Sequence, residues 1–160
     1  MPICEGMTLV DEAERAEKIR NAFIVFTGPC ADDHDTTLDI NKAISELSSL
    51  SVALRHINKL LEESTDASFH DIHNDLRLVH DDVTFTLGDV WHSLGRLGRN
   101  LTPYDYQQTW EEIADRVAEF SQGKKLHRVL EHHRVFLDSL SKKLETYGYL
   151  EAFTEFEADE

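Results

Sequence analysis

Apolar residues in this chain return every three or four positions from Leu9 to Tyr147. That interval matches one face of an α-helix and not the alternation of a strand. Segment 8–26 carries Leu9, Ala13, Ala16, Ile19, Phe23 and Phe26 on one stripe, with Asp11, Glu12, Glu14 and Lys18 largely outside it. Thr27, Gly28 and Pro29 stop this helix, because proline cannot continue the hydrogen-bond ladder. The loop ADDHDTT then offers Asp35 or Thr36 as a cap for a second helix. It runs to about Glu63, with Ile40, Ile44, Leu47, Leu50, Leu54, Ile57 and Leu61 facing inward.

The third segment, about 67–97, is apolar on two faces. Its main stripe is Ile72, Leu76, Val79, Val83, Leu87, Val90, Leu94 and Leu97, while Leu78 and Phe85 fall on roughly the opposite side. Such a helix is either sandwiched inside a bundle or turns its second face to a partner. Gly95 and Gly98 end it. Leu101-Thr102-Pro103 opens a fourth helix, with Thr102 as cap and Pro103 in the first helical position. Tyr106, Trp110, Ile113, Val117 and Phe120 step along its inner face until Ser121, Gln122 and Gly123 break the pattern. The last helix, about 124–147, has a seam of Leu126, Leu130, His133, Leu137, Leu140, Leu144 and Tyr147. The centre of that seam makes His133 a neutral, hydrogen-bonded core histidine. Short connections then predict an all-α, up-and-down antiparallel bundle of four to five helices over residues 1–147. Beyond it, 148–160 (GYLEAFTEFEADE) reads as an acidic flexible tail. Seven glycines and three prolines are too few for the closely spaced turns of a β-sandwich.

Charge narrows the partners. Thirty-one Asp and Glu against sixteen Lys and Arg give a formal charge of −15. Nucleic acids and anionic membrane surfaces both demand cations, so this balance opposes them. The opening MPICEGMTLVDEAER lacks a basic start followed by an apolar run, and no stretch approaches the length of a membrane span. With two cysteines, Cys4 and Cys30, the expectation is a cytoplasmic protein with reduced thiols. Cys30 sits beside Pro29 with no basic neighbour to lower its pKa.

Nine histidines invite a metal reading. His73 and His80 lie two turns apart near Asp75, Asp81 and Asp82, but seven residues of helix separate the rings by about 10 Å. Strong helical metal signals are instead i,i+4 histidine pairs or Glu-x-x-His. HDIHN at 70–74 resembles the His-Asp motif of metal-dependent HD phosphohydrolases. In that alternative His56, His70, Asp71 and His80 would form the centre, with Asp138 as the distant aspartate. The glycine that follows the dipeptide in that family is missing. The run DDHD at 32–35 is a capping loop. No Gly-x-Ser-x-Gly, phosphate loop or dinucleotide fingerprint is present, so no catalytic residue and no cofactor is assigned. Protonating all nine histidines would move the formal charge from −15 to −6, which predicts sensitivity to mild acid.

Three stretches carry a family resemblance: ISELSSLSVALRHINKLL, DLRLVHDDVTFTLGDVWHSLGRL, and YQQTWEEIADRV with LHRVLEHHRVFLDSL. Over about 36–145 they resemble the fungal N-terminal helical domain that precedes STAND-type NTPase and ankyrin-repeat segments. The markers are Thr86-Leu87, Trp110, and Arg134 with Phe136-Leu137. The resemblance implies a helical module for association or signalling, without catalytic residues. More distant HeLo-type cell-death bundles insert an apolar first helix into membranes. Here Asp11, Glu12, Glu14 and Glu17 would be costly in hydrocarbon. The leading expectation is a non-enzymatic module that binds a protein partner or a second copy of itself. Its contact surface would be Leu78 and Phe85, edged by Arg77 and His92.

Overall fold

Five helices are described by a computed structural model that covers residues 8–63, 70–98 and 101–158, with side chains for 8–63, 72–98 and 101–146. Helix α1 (Leu9–Phe26) begins at a reciprocal cap. The Thr8 side chain accepts from the Asp11 amide, and the Asp11 carboxylate accepts from the Thr8 amide, each at 3.0 Å. All six residues of its expected stripe are buried. Glu12, placed by its charge outside that stripe, is fully buried as well. Its Oε1 accepts a 3.0 Å bond from the Thr84 hydroxyl, which offsets part of the desolvation cost.

Helix α2 (His34–Glu63) follows a turn over residues 27–33 in which Cys30 is buried. Asp33 caps it, and neither Asp35 nor Thr36 does: the Asp33 carboxylate accepts from the Thr36 amide at 3.1 Å. That amide bond, and after it the hydroxyl of Thr36, the side chain of Gln107 and the amide of Asp35, hold the Asp33 carboxyl below its usual range. Burial pushes the Cys30 thiol up, with Asp33 and Glu111 adding to the effect, so this sulfur is held protonated and unreactive.

Helix α3 (His70–Gly95) buries Ile72, Leu76, Val79, Val83, Leu87, Val90 and Leu94, with Leu97 packed just beyond its end. It closes at Gly95, two residues short of the expected 97. Helix α4 (Pro103–Phe120) starts at the expected cap, where Thr102 and Asp105 form a second reciprocal box. Helix α5 (Leu126–Ala158) departs from expectation at its far end. Its backbone passes through Gly148 and continues to Ala158, where the charge pattern suggested a flexible tail. A single helical glycine costs only about 1 kcal/mol relative to alanine, and Leu150, Glu151 and Ala152 around it are good helix formers.

The bundle is all-α, as the spacing predicts, and the described residues contain no strand. Helices α1 and α2 pack along their lengths, α5 lies along α2, and α3 closes the ring against α1 and α5. Asp39 with Lys125, Glu46 with Arg134 and His56 with Glu145 advance together, so α2 and α5 run in the same direction. Helix α4 lies outside the ring and antiparallel to α3. Arg116 pairs with Asp89, Arg96 pairs with Glu112, and Phe120 meets Phe85 edge to face. Its other side is pinned to α1 by edge-to-face contacts of Trp110 with Phe23 and Tyr106 with Phe26, at 5.2 and 5.1 Å between ring centroids.

Candidate functional site

Seven helical residues turn the chain almost two full circles, so Leu78 and Phe85 stand within about 20° of one another on α3. The buried stripe of the same helix faces the other way. Leu78 is 58% exposed and Phe85 59% exposed, so the chain's own helices do not sandwich this second face. Arg77 and His92 are exposed on the same helix, as expected of an edge. The structure therefore leaves all four residues of the expected contact surface accessible.

Asp82 and Asp75 flank the strip on one side and Asp81 on the other, by the same helical geometry. None of these three carboxylates makes a hydrogen bond or ion pair among the described residues. Asp89, also on α3, differs: it is held by Arg116 of α4.

Phe85 belongs to a groove as well as to the strip. Its ring meets Phe120 of α4 at 5.0 Å between centroids, and with Val129 of α5 the two rings wall a cavity of about 450 Å³. Thr86 and His133 line it and are hydrogen-bonded through Oγ1 and Nε2 at 3.0 Å. Asp82 stands on the α3 lip, Lys124 and His132 on the α5 side. Burial pulls the His133 pKa down, against an upward pull from Asp82 and with a smaller downward push from His132. The ring is neutral and hydrogen-bonded at neutral pH, in line with its place in the seam. Phe120, Lys124 and His132 were not expected to join the surface. A large aromatic residue immediately before a Ser-Gln-Gly break was the available signal, since a ring at a helix end can reach past its own stripe.

The metal alternative is not assembled among the described residues. His56 is exposed on α2 and bound to Glu145 at 2.8 Å. His80 is wholly buried in α3, and neither ring nitrogen has a partner among the described residues. Asp138 is taken by Arg134 at 3.2 Å. The side chains of His70 and Asp71 lie outside the described residues, as do Cys4 and the Tyr147 side chain. No three His, Cys, Asp or Glu side chains among the described residues could hold one ion. His73 is exposed while His80 is buried, so that pair does not converge. Among the described residues no helix is long and apolar enough to cross a membrane. The chain matches no known protein family model, no curated protein and no solved structure.

Proposed function

We propose that this chain is a non-enzymatic helical interaction module of the fungal signalling type, working in the cytoplasm through the outer face of α3. The observation that carries the reading is the exposure of Leu78 and Phe85 on a helix whose opposite face already fills the core. Two large apolar side chains seven residues apart present anchors to a partner helix, and charge at their edges supplies a rim. The family resemblance over 36–145 points the same way.

Photo-cross-linking tests this directly. A cross-linking amino acid is placed singly at positions 78 and 85, and at Val52 on α2, which is 68% exposed, as a control. Discrete adducts in fungal cells from 78 and 85 but not from 52 are expected. Equal labelling at all three positions, or none at 78 and 85, refutes the assignment. Metal analysis of untagged protein addresses the enzyme reading, since stoichiometric Mn, Fe, Ni or Zn would move the function to hydrolysis.

A further inference from the structure

An unpartnered apolar strip identifies its partner only through the charges around it. Here those charges are Asp75, Asp81 and Asp82, none of them in an ion pair among the described residues, on a chain whose net charge is −15. A second copy brought face to face on α3 would set these aspartates against each other, and an anionic lipid surface would do the same. Opposite charge on the partner removes that repulsion and speeds encounter. The acidic strip is also bounded. Arg77 lies about 100° round the helix from Leu78, and Lys124 stands across the groove from Asp82. A partner with cations along one edge of its apolar face, and not all round it, fits these limits and is oriented by them.

We infer that the outer face of α3 is the docking surface for a basic amphipathic helix, whose lysines or arginines pair with Asp75, Asp81 and Asp82. One large apolar side chain of that helix enters the groove between Phe85, Phe120 and Val129. A cavity of about 450 Å³ accommodates a leucine- or phenylalanine-sized anchor, and the neutral Thr86–His133 pair beside it brings no buried charge against the anchor. This inference rests on the interaction reading above and specifies the partner's chemistry.

The probes are labelled synthetic 18-residue helices added to the intact chain and followed by fluorescence anisotropy. One has a leucine face with lysines along one edge. Its twin replaces the lysines with glutamates, and a third keeps the lysines but has serines for leucines. The leucine–lysine helix is expected to bind saturably and to weaken about tenfold on the D75N/D81N/D82N chain. The E14Q/E63Q chain loses exposed carboxylates elsewhere and is expected to bind like the unmodified chain. The L78S/F85S chain is expected to lose binding, and its helical circular dichroism reports whether it is folded. Equal binding of the lysine and glutamate twins, with dependence on Leu78 and Phe85, overturns the basic partner and leaves the interaction module standing. Binding of the serine–lysine helix as tight as the leucine–lysine one, indifferent to L78S/F85S, overturns both. Light scattering that shows a dimer abolished by L78S/F85S makes the strip a self-contact and overturns this inference.

Discussion

At the scale of single residues, the turn that carries the groove wall stores strain in an unexpected place. Gln122 adopts φ 62° and Gly123 φ 91°, while the Gly123 amide reaches back to the Ala118 carbonyl at 2.7 Å. This is the six-to-one bond of a Schellman close, and it puts a glutamine where glycine is ordinarily found. A side chain in the left-handed region costs about 1 kcal/mol or somewhat more. Gln122→Gly is therefore expected to raise stability by up to about 1 kcal/mol, less whatever the freer unfolded chain gives back. Urea unfolding followed by circular dichroism measures it, and a lowered midpoint would show that the glutamine side chain has a packing role. Ser-Gln-Gly announced a break at this point, but composition could not say that Gln122 would share the positive φ. Glu12 was opaque for a related reason: periodicity treats a carboxylate as outward-facing, and it is the Thr84 hydroxyl and the Arg15 guanidinium, 3.9 Å away, that make its burial tolerable.

At the scale of elements, every buried stripe could be read from intervals of three and four, because the helical period alone assigns each residue an angle. What the period withholds is what stands opposite that angle. Leu78 and Phe85 could have lain beneath another helix, and only the placement of α4 beside α3 decides that they do not. Gly148 likewise looked like a stop and is one residue inside a continuing helix. Helix α4 matters most to the site, since it supplies Phe120, and its start depends on the Thr102–Asp105 box. The Thr102 amide, and then its hydroxyl, donate to the Asp105 carboxylate and hold it below its usual range, so it is ionised and accepting at neutral pH. Thr102→Ala is expected to cost about 1 kcal/mol in urea unfolding. Thr102→Ser should recover most of that loss, and failure to recover it would mean that the methyl group, not the hydroxyl, is what matters.

For the whole molecule, acid acts in opposite directions on different groups. Positive charge added at the surface relieves the repulsion of a −15 chain. His127 and His133 behave otherwise. Burial lowers both from their ordinary value of 6.5; Asp39 pulls His127 upward but Lys42, Arg128 and Lys125 push it down, while Asp82 and His132 act on His133. Between 6.5 and those lowered values the unfolded chain takes up protons that the fold refuses. Their contribution is therefore complete above 6.5 and is lost as pH falls toward the folded-state values. Glu17, held down chiefly by the Ser51 hydroxyl and then by Arg55, and the caps Asp33 and Asp105, are lost only at lower pH, as it falls below their ordinary carboxyl values. The two windows separate experimentally. Taken from pH 7 to pH 5.5, the urea midpoint of an H127Q/H133Q variant should rise relative to that of the unmodified chain, because the two imidazoles whose protonation the fold opposes are gone. Below pH 4.5 the two curves should descend in parallel. A constant offset from 7 to 5.5 would mean that these two imidazoles protonate as freely in the folded bundle as in water.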